Sequence, residues 1–225
     1  MKITLPDNST RELPEGSSGY DLAKDIGPGL AKSAVAVIVD GEQKDLHDVI
    51  EGDSLISIIT IDSDNGLEIM RHTLTAQVLA SALKNIYPNA RLAIGPTIDD
   101  GFYYDVESEV SISIDDLQKI ENEMKKIIST KSNITKKLSN KKDSLKVFKN
   151  LDEPYKEAII NESDQEDNFQ LYYQDNDIFV DLCKGPHLPN LGFIGAFKLT
   201  RVSGAYWKGD SKNTMLTRIY GTAWN

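Results

Sequence analysis

The sequence predicts an α+β fold in two parts, a compact N-terminal unit followed by a larger mixed domain. Three observations carry this. Short runs that alternate with a period of two, as strands do, are interleaved with runs whose apolar residues recur at helical spacing. A stretch without apolar residues, Asp62-Ser63-Asp64-Asn65-Gly66, breaks the chain near its first third. Hydrophobic residues make up 40% of the 225 residues, enough to build a core on either side of that break.

In the first part, Lys2-Ile3-Thr4-Leu5 alternates as a strand and Pro6-Asp7-Asn8 supplies turn chemistry, so Thr10 to Leu13 returns as the second arm of a hairpin. Ser17 or Ser18 caps a short helix carrying Tyr20, Leu22, Ala23 and Ile26, which Gly27-Pro28-Gly29 ends. Val35, Val37 and Val39 alternate ahead of the turn pair Asp40-Gly41. Leu55 to Ile59 closes the unit as a mostly buried strand. A hairpin, a helix and then further strands is the order of a β-grasp.

Beyond the polar break, Val78, Leu79, Ala82, Leu83 and Ile86 share one helical face that Pro88 stops. Arg91 to Ile94 forms a short strand, and Gly101 precedes the aromatic run Phe102-Tyr103-Tyr104. Ser113 and Asp116 have the spacing of a capping box, opening a helix with Leu117, Ile120, Met124 and Ile127 on its face. Glu153-Pro154-Tyr155-Lys156 reads as a local turn, and Ile159 to Glu166 is polar and aperiodic. Leu171 to Tyr173 and Ile178 to Val180 read as strands about the turn residues Asp175-Asn176. No internal repeat is present.

Composition narrows the function. No apolar run is long enough to span a bilayer, and the N-terminus has no signal-peptide core. The single cysteine, Cys183, forms no internal disulfide, so a cytoplasmic setting is expected. A net charge of -10 argues against indiscriminate nucleic-acid coating. Between Lys125 and Lys149, however, nine lysines face one acid, Asp143. That segment is either a solvated face or a surface for phosphates.

The densest cluster of reactive side chains is Asp181-Leu182-Cys183-Lys184-Gly185-Pro186-His187. Cys183 and His187, four apart beside a Gly-Pro turn, suit a nucleophile with its base, two zinc ligands, a water-orienting pair, or a buried cysteine beside a loop histidine. On a strand, Tyr103 and Tyr104 face opposite sides. Lys156, taken alone, is an ordinary surface lysine. Trp207 and Trp224 are suited to anchor packing.

The longer strings are more specific. Leu92 to Asp105, with Ala-Ile-Gly-Pro followed by Gly-Phe-Tyr-Tyr-Asp, resembles a signature of threonyl-tRNA synthetase editing domains. Val180-Asp-Leu-Cys-Lys-Gly-Pro-His-Leu-Pro-Asn190 resembles a second signature of that family. Lys198-Leu199, Ser203 to Asp210 and Arg218 to Trp224 are similar to the end of the same domain. Residues 1–61 resemble its ubiquitin-like TGS domain, leaving 62–66 as a linker and 67–225 as the editing domain.

That resemblance implies hydrolysis of mischarged seryl-tRNA(Thr), with the tRNA(Thr) acceptor end as partner. It implies His187, Cys183, Lys156, Asp181 and His72 as catalytic residues, and Tyr103, Tyr104, Thr73 and Gln77 as substrate-binding residues. The family continues into a catalytic and an anticodon-binding domain. This chain is therefore expected to be an N-terminal part needing no cofactor, since ATP, magnesium and zinc belong to the catalytic domain. It is expected to be a monomer, whereas the full-length enzyme dimerises.

The pattern breaks at one place. The family carries an H-x-x-x-H pair at the start of its first editing helix, which puts both histidines on one face. Here the segment is Arg71-His72-Thr73-Leu74-Thr75-Ala76-Gln77. Anchoring on the Thr-Ala string puts Thr73 and Gln77 at the histidine positions. Anchoring on Arg-His keeps His72, faces it with Ala76 and implies one inserted residue. Either register breaks the pair and counts against a four-ligand zinc site of the kind found in alanyl-tRNA editing proteins. A non-catalytic tRNA-binding module is the alternative expectation.

Overall fold

A computed structural model of the protein describes residues 1–224. Asn225, the last residue of the expected second domain, lies outside them.

The N-terminal unit is a five-stranded sheet. It comprises β1 (Lys2–Thr4), β2 (Thr10–Glu12), helices α1 (Gly19–Ile26) and α2 (Pro28–Ser33), then β3 (Ala34–Val39), β4 (Glu42–Asp45) and β5 (Ser54–Thr60). The strand order is β2-β1-β5-β3-β4, with β1 and β5 parallel and the other pairs antiparallel. This is the expected β-grasp. Ser18 caps α1 in a reciprocal capping box with Asp21, which satisfies backbone donors that the first turn leaves open. Leu22 and Ala23 of α1 pack on Ile3, Val37 and Ile56 of the sheet and on Leu46 just after β4.

The next helix begins earlier than the polar break suggested. The Ser63 hydroxyl accepts from the Gly66 amide, so α3 (Asp64–Thr73) already includes three of the five residues expected to form a linker. Serine and aspartate there are capping chemistry rather than loop chemistry. The helix continues without a break through a π-helical segment, Leu74–Leu79, into α4 (Ala80–Ile86). All six residues of the π segment are buried.

Beyond Pro88 follow β6 (Arg91–Leu92), β7 (Thr97–Ile98), β8 (Gly101–Glu107), α5 (Leu117–Ser129), β9 (Ile134–Ser139), α6 (Lys141–Asn150) and α7 (Pro154–Glu162). The chain closes with β10 (Phe169–Gln174), β11 (Val180–Leu182), β12 (Ala196–Tyr206) and β13 (Met215–Trp224). Two antiparallel sheets result, one in the order β11-β10-β9 and one in the order β12-β13-β8-β6, with β7 paired to β8. The Ser113–Asp116 capping box is present at the turn leading into α5.

The helical run from α3 to α4 is the axis of the second region. Met70, Leu74, Leu79 and Leu83 belong to one buried cluster with Tyr104 of β8, Ile120 of α5 and Ile219 of β13. Val35, Ala36 and Ile59 of the N-terminal sheet join the same cluster. The two units therefore share a core across their junction. Among the described residues no helix is long and apolar enough to cross a membrane.

Leu83→Ala, at a fully buried position of that cluster, is expected to lower the unfolding free energy by about 2–5 kcal/mol through lost transfer energy and a residual cavity. Denaturant unfolding measures this, and a loss below about 1 kcal/mol would mean that the shared core repacks around the gap.

Candidate functional site

Strand β11 delivers the first elements of the site. Its pairing with β10 sets Asp181 opposite Tyr172, and side-chain alternation turns the carboxylate inward. There it meets Lys156 Nζ at 2.6 Å and accepts from the Tyr104 hydroxyl at 3.3 Å and its own Leu182 amide at 2.8 Å. Lys156 and Asp181 are both almost fully buried. Burial pushes the Asp181 carboxyl up from its ordinary range, and the Lys156 ammonium pulls it back.

Lys156 comes from α7, where the sequence suggested only a turn. Pro154 opens this helix instead, a position where its missing N–H costs nothing. The first turn aims Lys156 inward rather than at solvent.

After β11 the chain turns at Gly185, whose φ is +63°. A Cβ there would stand 1.9 Å from the Tyr172 hydroxyl, so both the conformation and the space require glycine. The turn brings His187 back beside Cys183, with Nε2 at 2.8 Å from Sγ. His72 of α3 stacks on His187 at a centroid distance of 4.6 Å and sets its own Nε2 3.4 Å from Sγ.

The hydrogen-bond network assigns the tautomer of His187. Thr73 Oγ1 accepts from the Leu188 amide at 3.0 Å and lies 2.9 Å from the Ile69 carbonyl, which can only accept. Its proton therefore goes to that carbonyl, leaving a lone pair for His187 Nδ1 at 3.1 Å. Nδ1 carries the ring proton, Nε2 is the basic nitrogen, and the Cys183 thiol donates to it. Burial favours the same neutral state. It holds His187 well below its ordinary value, lowers His72 to about 4, and raises the Cys183 thiol.

These groups meet at a cleft of about 740 Å³ lined by His72, Ala76, Gly95, Pro96, Lys156, Asp181 and Cys183. Its far wall includes Glu42 and Gln43 of β4, from the N-terminal unit.

Four of the five expected catalytic residues, His72, Lys156, Asp181 and Cys183, line this cleft, and His187 stands buried behind Cys183. Three of the four expected substrate contacts do not touch the cleft because they are fully buried. Thr73 stands behind His187, Gln77 reaches the Tyr172 carbonyl at 3.4 Å, and Tyr104 reaches Asp181 from below. The fourth, Tyr103, faces the opposite side of β8, where Arg218 covers its ring at 3.8 Å.

The π segment directly follows α3, the helix that carries His72. Its wider turn accommodates one more residue than an α-turn. His72 lines the site, with Ala76 beside it on the cleft wall. Of the clustered lysines, Lys136 turns inward to Asp45 and Asp48, while Lys142, Lys146 and Lys149 of α6 are exposed.

With this geometry in place, comparison with known proteins is specific. The TGS domain family matches residues 1–60, and the family described as the threonyl and alanyl tRNA synthetase second additional domain matches residues 170–220, which contain Asp181, Cys183 and His187. The chain joins a TGS domain to a synthetase second additional domain. It is 47% identical over 222 residues to a threonine–tRNA ligase of Hahella chejuensis, covering 99% of this chain and 34% of that protein. A threonine–tRNA ligase of Acidithiobacillus ferrooxidans is 46% identical over 222 residues, again 99% of this chain and 34% of that protein. One from Paracidovorax citrulli is 46% identical over 224 residues, or 100% of this chain and 35% of that protein. The chain thus spans about a third of the length of these relatives and is homologous to their N-terminal region.

Among the described residues, His72, Cys183 and His187 are also a group able to hold a metal, their donor atoms lying within 4.8 Å of one another. Two histidines and a thiolate suit zinc with an open fourth position. Here the thiol is engaged in a hydrogen bond instead, and donors sharing a zinc ion would stand roughly 3.5 Å apart, wider than the 2.8 Å between Cys183 and His187. Ala76 offers no fourth donor.

Lys156→Ala leaves Asp181 buried without a counter-charge and is expected to destabilise the protein by about 3–5 kcal/mol. The double variant Lys156→Met/Asp181→Leu is expected to recover most of that loss in denaturant unfolding. The histidines predict a pH dependence. His72 binds its proton in the unfolded chain near its ordinary 6.5 but in the folded protein only near 4. The unfolded state holds more protons in that interval, so stability falls as pH is lowered from 6.5 toward 4. Unfolding curves across this range are expected to show the fall, and His72→Asn is expected to shrink it.

Proposed function

We propose that the second additional domain hydrolyses the ester of seryl-tRNA(Thr), removing serine attached in error. The observation that carries this is the placing of the Cys183 thiol and the buried Lys156–Asp181 pair on one cleft, with His187 Nε2 directly behind the thiol. At about 740 Å³ the cleft falls in the range of small-ligand sites and suits a terminal nucleoside with its aminoacyl ester.

Serine and threonine differ by a methyl group, worth only ~1–3 kcal/mol in a binding pocket, so a synthetase selecting threonine needs a second sieve. Ester hydrolysis requires a placed water, a proton acceptor and a stabiliser for developing negative charge. His187 Nε2, fixed by Thr73 behind it, is suited to act through the Cys183 thiol that it accepts from: the thiol gives its proton to Nε2 as it takes one from water, and the reverse transfers return a proton to the leaving 3′ oxygen. The Lys156 ammonium stands where negative charge would grow, and Asp181 is suited to attract the serine ammonium. Cys183 holds the imidazole in line, and His72 closes its face. The exposed lysines of α6 are suited to the acceptor-arm phosphates, a contact that would weaken steeply with salt. No metal is needed for this sequence of events.

Ala76 on the cleft wall supports a second reading, a module that binds tRNA without cutting the ester, because no second histidine stands one turn beyond His72. One assay decides between them: release of serine from Ser-tRNA(Thr) and of threonine from Thr-tRNA(Thr) by this chain and by His187→Ala. Release of serine only, slowed about 10²–10⁴-fold by the substitution, is expected of a general base. Serine release at the spontaneous rate, with tRNA bound, would leave the binding module.

A further inference from the structure

The TGS domain does more than precede the hydrolytic site. Its strand β4 ends in Asp45, whose side chain is only 15% exposed. Asp45 Oδ1 accepts from the His187 backbone amide at 2.9 Å, and Oδ2 accepts from the Tyr172 hydroxyl at 2.7 Å. Lys136 Nζ of β9 lies 3.0 Å from the same carboxylate. One side chain of the first unit thus holds β9, β10 and the turn after β11.

Tyr172 passes this hold on to the imidazole. Its ring meets His187 edge-on at 4.4 Å, and its hydroxyl lies in the space that Gly185 leaves open. The imidazole is therefore bounded by Tyr172 at its edge, His72 on its face and Thr73 at Nδ1, while Asp45 fixes its backbone. Hydrogen bonds to an ionised carboxylate are shorter and more directional than neutral ones, which suits a group that must not drift. Interface adhesion also uses Asp48, which pairs with the same Lys136 at 2.5 Å and accepts from the Asp45 backbone amide at 3.2 Å, with no hydrogen bond or ion pair to the turn among the described residues. Glu42 and Gln43, on the same strand as Asp45, face the cleft itself.

We infer that the TGS domain is a working wall of the hydrolytic site and that Asp45 is a positioning residue for His187. This rests on the hydrolase reading above. A histidine displaced by about 1 Å from a reacting atom can lose up to roughly a hundredfold in rate without losing substrate affinity.

The test compares the whole 225-residue chain with Asp45→Asn and Asp48→Asn. Three quantities are measured: kcat and KM for serine release from Ser-tRNA(Thr), the melting temperature, and the rate at which iodoacetamide alkylates Cys183, the sole cysteine. Asp45→Asn is expected to lower kcat about tenfold to a hundredfold at unchanged KM, to keep its melting temperature close to that of Asp48→Asn, and to alkylate several times faster as the turn loosens. Asp48→Asn is expected to keep the parent kcat and alkylation rate. Equal kcat in the two variants, or a loss in both that follows the melting temperature, overturns the inference. Should Asp45→Asn fail to fold, Tyr172→Phe removes one arm of the network and is expected to lower kcat at constant KM; an unchanged kcat there overturns it equally. If the parent chain releases no serine, the hydrolase reading falls by itself. Unchanged alkylation in Asp45→Asn would then remove the hold on the turn as well, and faster alkylation would keep it.

Discussion

The ion pair between Lys156 and Asp181 sets the conditions under which the rest of the second domain is built. Two opposite charges 2.6 Å apart and almost wholly out of water are tolerable only if neither loses the other. That requirement fixes the start of α7, which carries the ammonium, relative to β11, which carries the carboxylate. It also gives the Tyr104 hydroxyl a partner beneath the site. With Asp181 immobile, the chain after it can only turn away, and the Gly185 turn returns His187 to Cys183. A polar contact that adds little to stability by itself therefore decides where the reactive groups stand.

Much of the fold was legible because its signals are local. The Ser18 and Ser113 caps, the Asp40-Gly41 turn and the helical face from Leu117 to Ile127 each act within a few residues. Where local chemistry has two meanings, the sequence misled. Ser63 and Asp64 resemble linker residues and serve as a helix start, and Pro154 resembles a turn and opens α7. The weak amphipathic pattern of α7 offers nothing to correct that, since its role is to place one lysine and not to bury an apolar stripe.

The site divides in the same way. His187, Cys183 and Asp181 could be named because a whole string around them resembles a known family, and Lys156 and His72 only because that resemblance implies them. Tyr103 and Tyr104 lie in an equally recognisable string, and Thr73 and Gln77 at the break in the pattern, but all four face away from the cleft, a matter of side-chain direction that strings do not carry. Asp45 was missed entirely. It is one acid among many at the end of a short polar strand, and its partners lie 127 and 142 residues further along the chain. No local pattern marks a residue whose meaning lies in another unit.

The π-helical segment bears on how such a chain tolerates change in length. Each residue of an α-helix advances the winding by about 100°. An extra residue in a rigid α-helix would swing every later side chain onto a different side, and Leu79 and Leu83 would leave the core they share with β8 and β13. Absorbed as a local widening such as that between Leu74 and Leu79, an extra residue would leave the phase of the remaining helix intact. His72 upstream and the apolar face downstream both keep their bearings. A buried helix, usually the part of a protein least forgiving of insertions, has here a built-in expansion joint.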